Sequence, residues 1–326
     1  MPCESYDAPK WLLRALAQRR ERGGDLLDHI ADRSKSKFLT VMQAKRILEE
    51  YAAKGYQLTL RQLYYQFVSR DLIPNSQKEY AKLGDAISEG RMWGVLDWDH
   101  IVDRGRNVIS HPHWTDPSDI IQSAARGFRL DLWEESAVRP EVWVEKQALE
   151  EVVGRAAAPH DVSYIACKGY MSQSEMWAAG DRIKKRYKEH GQKTFIIHLG
   201  DHDPSGIDMS RDIEDRIRIF HVPAAAFHVE RIALNMDQVQ QYQPPPNPAK
   251  ETDSRFQTYM EEFGDESWEL DALEPSLLHQ LIEQHIEEQK DETYQQKEDE
   301  QERMREVLTE CSRRWEDVET FLGDEA

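Results

Sequence analysis

Apolar residues recur at helical spacing through the first hundred positions. Helices are predicted over 8–21 and 37–55, the second carrying Leu39, Met42, Ile47 and Tyr51 on one face and stopping at Gly55. Thr59 with Gln62 forms a capping box, so a new helix starts near Leu60, carries Leu63, Tyr64, Phe67 and Val68, and ends around Asp71. Pro74-Asn75-Ser76 is a turn. A further helix is predicted from Gln77 to Arg91, with short extended pieces at Val95–Trp98 and Ile101–Val102. From about residue 138 the pattern changes. Apolar, β-rich runs at Glu141–Val144, Val162–Cys167 and Thr194–Leu199 alternate with helical stretches at Gln147–Ala157, Ser174–His190 and Ile207–Phe220. His221–His228 is a last strand candidate. Beyond the proline-rich Gln243–Lys250, one long charged helix is expected to reach Leu322.

The first pattern is the order of a winged helix-turn-helix, with Leu60–Arg70 as its middle helix and Gln77–Arg91 as its recognition helix. The second is βαβαβα, which demands a parallel sheet with helices on both faces. The expected class is α/β: an N-terminal helical extension (1–36), a winged-helix domain (37–110), a connector (111–137), a parallel-sheet domain (138–242), a proline-rich segment with an associated element (243–280), and an acidic helix (281–326).

Composition changes this picture in two places. The net charge of −19 speaks against a nucleic-acid partner. Yet residues 251–326 alone carry −18, against +1 for 1–140 and −2 for 141–250, so a basic face is open to the first 250 residues. Any DNA surface is therefore expected away from the C-terminus. No apolar run approaches the roughly 18 residues of a membrane span, and the first ten residues lack the layout of a signal peptide. Cys3, Cys167 and Cys311 are far apart and odd in number, which excludes a disulfide framework. A cytoplasmic protein is expected.

The chemistry concentrates at two strand ends. The first strand delivers Glu145 and Lys146, and the later one Asp201-His202-Asp203-Pro204-Ser205-Gly206. Ligands of open parallel sheets bind beyond the carboxyl ends of the strands. Asp201 and Asp203 converge only if the chain turns, and Pro204 and Gly206 supply a turn. Three carboxylates without His or Cys suit a hard cation such as Mg²⁺. The competing reading makes Asp203 a plain helix N-cap. His100, His111 and His113 lack a fourth ligand for zinc. Asp103-Arg104-Gly105-Arg106 and Lys184–Lys188 are basic runs of a kind that meets phosphates.

Glu145 after a strand, followed by strand-Asp201-x-Asp203-Pro-x-Gly206, resembles the Toprim domain of topoisomerases, primases and related nucleases. The resemblance is closest to the topoisomerase VI A subunit and its meiotic double-strand-break relative. Lys168-Gly169-Tyr170 lies where those proteins carry Gly-Tyr, Arg61-x-x-Tyr64-Tyr65 matches their Arg-x-x-Tyr-Tyr, and Glu269 to Leu273 matches their Glu-x-x-Ala-Leu element. The resemblance covers roughly residues 37–275. It implies a Mg²⁺- or Mn²⁺-dependent DNA-cleaving homodimer in which Glu145, Asp201 and Asp203 hold the metal, Tyr65 attacks the phosphate and Arg61 assists. Arg61 and Tyr65 are four apart, so they share a helix face. Tyr64, with Leu60 and Phe67, is expected in the core and Tyr65 on the functional face. Lys78, Lys82, Arg91, Arg104, Arg106, Lys146 and Lys168 are the expected DNA contacts. No Walker A sequence is present, so strand passage would need a separate ATPase or accessory subunit. The nuclease subunit of the Wadjet plasmid-defence system cleaves hydrolytically on a similar architecture, which keeps open a metal-activated water. A third reading also stays open, a DNA-binding regulatory or scaffold protein without catalysis.

Overall fold

Thr59 and Gln62 form the expected box: the Thr59 hydroxyl accepts from Gln62 N at 3.2 Å and the Gln62 side chain accepts from Thr59 N at 2.8 Å. In the computed structural model, which describes residues 35–101 and 113–324, that box opens the second of three helices in the first unit. These are α1 (Lys35–Ala53), α2 (Leu60–Ser69) and α3 (Gln77–Met92). The predicted helix over 8–21 lies outside the described residues. Ile47, Leu48 and Tyr51 of α1, Leu63 and Phe67 of α2, and Leu83 and Ile87 of α3 form the core. Gly90 lets α1 close on α3, because a Cβ there would lie 2.8 Å from Val41 Cγ1.

The two short strands expected after α3 do not form among the described residues. Trp98–His100 is a single 3₁₀ turn capped by Asp97, and Ile101 makes one isolated parallel bridge to Leu58. Arg91 ties this segment to α3, its guanidinium donating to the carbonyls of Ile101 (2.6 Å) and Trp98 (3.3 Å). The observed unit is a three-helix arrangement with a helix-turn-helix order, and residues 102–112 lie outside the described ones.

The second unit is built on a four-stranded, fully parallel sheet: β1 (Val138–Val144), β2 (Ser163–Ala166), β3 (Lys193–Leu199) and β4 (Phe227–Ala233), in the order β2-β1-β3-β4. Before it comes α4 (Pro117–Gly127), and the crossovers are α5 (Glu150–Ala157), α6 (Gln173–His190) and α7 (Pro204–Ile219). Alternation along each strand sends Val142, Val144, Ile197 and Leu199 to one core, and Trp143 and Ile196 to the other. The first core is closed by α5 and by α10 (Pro275–Glu287), the second by α6 and α7. Between them lie α8 (Met236–Tyr242), α9 (Phe256–Phe263) and a two-residue antiparallel pair, β5 (Asn247–Pro248) with β6 (Glu266–Ser267). The proline-rich segment is thus an ordered loop.

Three expectations change. The last strand is Phe227–Ala233, not His221–His228, because Pro223 and the 3₁₀ turn Ala224–Ala226 delay it. The third crossover helix starts at Pro204, directly at the acid loop. The long charged helix is three: α10, α11 (Glu292–Arg313), capped by Asp291, and α12 (Trp315–Asp324). Nor is α11 free in solvent. Tyr294 is fully buried, its ring centroid 4.6 Å from that of Trp133, and Gln301 accepts from Leu130 N. None of the described helices is long and apolar enough to cross a membrane.

Candidate functional site

The chain leaves β1 for β2 on one side, then crosses back to lay β3 on the other side of β1. That reversal opens a crevice beyond the carboxyl ends of β1 and β3, where ligands of such sheets bind. Val144 pairs with Leu199 at this edge. Glu145 continues the ladder, its N–H donating to Leu199 O at 2.8 Å, and its Oε2 accepts from Asp201 N at 2.8 Å. Glu145 and Asp201 are therefore brought into direct contact, as the strand-end reading expects.

Asp203 sits two residues on, at the N-cap of α7. Its Oδ1 accepts from Gly206 N (2.6 Å) and Ser205 Oγ (3.0 Å), so the capping role weighed from the sequence is real. The turn is tight enough that a Cβ on Gly206 would lie 2.2 Å from Asp201 O, inside any tolerable contact. Only glycine fits there.

Arg231, at the far end of β4, fastens this loop from beneath. Its Nη1 donates to Gly206 O (2.9 Å), and its Nη2 faces Gly200 O (2.9 Å), Asp201 O (2.6 Å) and Leu234 O (3.1 Å). Burial lowers its pKa to about 10, and Glu145, Asp201 and Asp203 act the other way, so it stays charged at neutral pH. The sequence reading missed it. The available signal was one arginine inside an otherwise strand-like run.

Lys146 was expected to meet DNA. It instead turns inward, with Nζ 2.6 Å from Glu269 Oε2, 2.9 Å from Asp271 Oδ1 and 3.0 Å from Asp201 Oδ1. Burial opposes its charge, but these three carboxylates outweigh it and raise its pKa. Leu270 N also donates to Asp201 Oδ1 at 2.8 Å. The Glu269–Leu273 element is thus a third wall of the crevice, a role its sequence did not reveal.

The acids are crowded. Burial first, then the charge of Asp203, raises the Glu145 carboxyl despite the hydrogen bond from Asp201 N. Burial also raises Asp201 to about 7, against the pull of Lys146 and with Glu145 and Asp271 adding to it. Among the described residues, no group of three or more His, Cys, Asp or Glu stands close enough to hold a metal ion. The donor chemistry nevertheless fits a hard cation. Glu145 Oε1, Asp201 Oδ2 and Asp203 Oδ2 accept no hydrogen bond from the described residues, and all three side chains lie along one short loop and the strand end beside it. Like charges splay when nothing neutralises them, so gathering around a cation requires rotation of these side chains.

In the first unit, Arg61 and Tyr65 meet as their spacing predicts, with Arg61 Nη2 3.4 Å from the Tyr65 hydroxyl and its guanidinium over the ring. Tyr64 is core as expected, its hydroxyl donating to Asn75 Oδ1 at 2.8 Å and accepting from Ser76 N at 2.7 Å. Tyr65 departs from its expected exposed face: it is 2% exposed, against 5% for Tyr64. Both α1 and α3 pack against this helix.

The expected DNA contacts divide. Lys78 is exposed, and Lys82 is exposed but pairs with Glu79 at 2.6 Å. Arg91 is committed to the loop after α3. Arg104 and Arg106 lie outside the described residues, as does His111. Lys168 is exposed on a left-handed turn (φ 57°) whose next residue, Gly169, donates to Glu145 O, which places it beside the acids. Within the basic run of α6, Arg186 is drawn inward, joining Arg182 on the buried Glu141 at 3.1 and 2.7 Å. No family model, curated protein or solved structure matches this chain.

Proposed function

We propose that this protein is a Mg²⁺- or Mn²⁺-dependent DNA-cleaving enzyme of the Toprim kind, resembling the topoisomerase VI A subunit and working as a homodimer. The observation that carries the reading is the placement of Glu145, Asp201 and Asp203 beyond the carboxyl ends of β1 and β3. Glu145 and Asp201, raised in pKa by burial and by neighbouring carboxylates, make a site that gains from a divalent cation. When bound, such an ion supplies positive charge for phosphate oxygens and eases deprotonation of an attacking group. Glu145, Asp201 and Asp203 would hold it once their side chains rotate together. Arg231 and Gly206 keep the loop closed, and Lys146 offsets part of the negative charge. Lys168 stands at the rim to meet a phosphate.

Two nucleophiles suit this site. Tyr65 would form a phosphotyrosyl bond as the ester bond to one sugar breaks, the phenolic proton ending on the leaving oxygen, with Arg61 stabilising the phenolate. A water would break the same bond and leave both ends free of protein. The burial of Tyr65 favours the water, because the phenol must first become exposed to reach a phosphate. A separate ATPase or accessory subunit would be needed for strand passage.

The test is supercoiled plasmid with Mg²⁺ or Mn²⁺, resolved by electrophoresis with and without protease. Cutting that needs the metal supports the reading. Label retained on protein until proteolysis identifies tyrosyl transfer, and free ends identify hydrolysis. A plasmid left intact with either metal, by protein shown to be folded, refutes enzymatic cleavage and leaves a DNA-binding role.

A further inference from the structure

Four arginines face one groove on the second unit, away from the acid crevice. Arg126 closes the last turn of α4, Arg129 follows it, Arg155 closes α5, and the half-buried Arg305 of α11 reaches the groove while its Nε donates to Phe128 O at 3.0 Å and its Nη1 lies 3.6 Å from Glu302 Oε2. The groove has a volume of about 1090 Å³. Arg126, Arg129 and Arg155 are exposed, and Arg126 reaches Ser123 Oγ at 3.5 Å, the long limit of a hydrogen bond. Tyr164 of β2 lines the same groove and is 42% exposed. Its ring lies against α5 at Gly154, where a Cβ would be 2.7 Å from the hydroxyl, so the residue opposite has to be small. Two glutamates, Glu151 and Glu302, share the lining, leaving it net positive in a chain of net charge −19.

We propose that this groove binds the phosphates of a DNA backbone. Guanidinium groups grip phosphate oxygens with paired N–H donors, and an exposed aromatic ring adds a face for a sugar or base. The groove is open rather than enclosed, with a volume at the upper end of the roughly 300–1,000 Å³ of small-ligand pockets, which suits a chain of phosphates running through it better than one small anion. It draws Arg305 from the acidic C-terminal quarter, so the DNA surface is not confined to the first 250 residues as the charge distribution suggested. The proposal rests on DNA being the substrate, but it assigns a second binding surface beyond the cleavage site.

The test is fluorescence anisotropy of a labelled duplex oligonucleotide with full-length protein in EDTA, over a range of salt, with ATP as a competing small phosphate ligand. The triple variant Arg126→Ala, Arg129→Ala, Arg155→Ala truncates three exposed side chains and should stay folded, melting close to the wild type. It should weaken DNA binding by about tenfold or more, and make the slope of log K against log salt shallower by about 3, near 0.9 for each phosphate that is no longer neutralised. Glu302→Gln should tighten binding, a gain that loss of structure does not mimic. Wild-type protein that fails to bind duplex, or a triple variant with unchanged affinity and slope, overturns the proposal. ATP that binds in the groove and excludes DNA also overturns it, in favour of a free nucleotide. Because binding is read in EDTA, weakened binding in the triple variant combined with an uncut plasmid in Mg²⁺ would uphold the groove and sink the cleavage reading alone.

Discussion

Replacing Lys146 with Met tests the electrostatics of the crevice most directly. The ammonium lies within 3.0 Å of oxygens on Asp201, Glu269 and Asp271, and the Asp271 side chain is fully buried. At an effective dielectric of about 20, each pairing is worth roughly 5–6 kcal/mol of gross Coulomb energy. Desolvation and the mutual repulsion of the carboxylates cancel most of it. What the variant exposes is the remainder of that balance: carboxylates buried without their cation, a change that costs about 3–5 kcal/mol. In a unit of this size the melting temperature should fall by about 6–20 °C at pH 8. The pH dependence follows from sign. The raised pKa of Lys146 keeps it protonated throughout pH 5 to 8, so its own titration adds no pH dependence there. Asp201 already titrates near 7 when folded, against about 3.9 unfolded, so the folded state holds the extra proton and stability falls as pH rises from about 4 to 7. Losing Lys146 pushes that carboxyl higher still, so the deficit should be larger at pH 8 than at pH 5. Thermal melts followed by circular dichroism in EDTA at both pH values read this out. A variant melting within 2 °C of wild type at pH 8, or a deficit that grows on acidification, would refute the account.

Gly206→Ala places a methyl 2.2 Å from the Asp201 carbonyl, so the loop must open; thermal stability should fall and metal-dependent cleavage should be lost, whereas Gly127→Ala, with open space around it, should be neutral in both assays. Mg²⁺ at about 100 times its Kd should stabilise the wild type by about 2.7 kcal/mol, seen as a rise in melting temperature; Asp203→Asn should abolish most of that rise, and an unchanged rise would remove Asp203 from the metal site. Tyr65→Phe leaves a buried ring in place and should shift melting by little; retained plasmid cutting at the wild-type rate would exclude tyrosyl transfer. Burial pushes the Cys167 thiol up to about 12, so it should resist alkylation at pH 8 until the protein is unfolded, as mass spectrometry of the peptide would report.

Local signals carried much of this fold. The box at Thr59 and Gln62, the turn at Pro74-Asn75-Ser76 and the βαβ alternation depend on neighbours a few residues apart, so α2, α3 and β3 are legible in order and nearly in extent, and β1 over its last four residues. The strand-end position of Glu145 and the turn at Asp201–Gly206 are equally local, since apolar runs stop where charge begins. What lies far apart in the chain was not legible. Strand order β2-β1-β3-β4 is a choice among crossovers, and it alone puts Glu145 beside Asp201, 56 residues away. Lys146 reads as a free surface cation until Glu269 and Asp271 fold over it, more than 120 residues later. Arg231 breaks the apolar pattern of its strand, and only the carbonyls converging from the acid loop repay its burial. Tyr65 was placed outward by helical periodicity, which locates a face but not how many neighbours cover it. Side-chain period is a property of one element, whereas burial and charge pairing belong to the elements that pack against it.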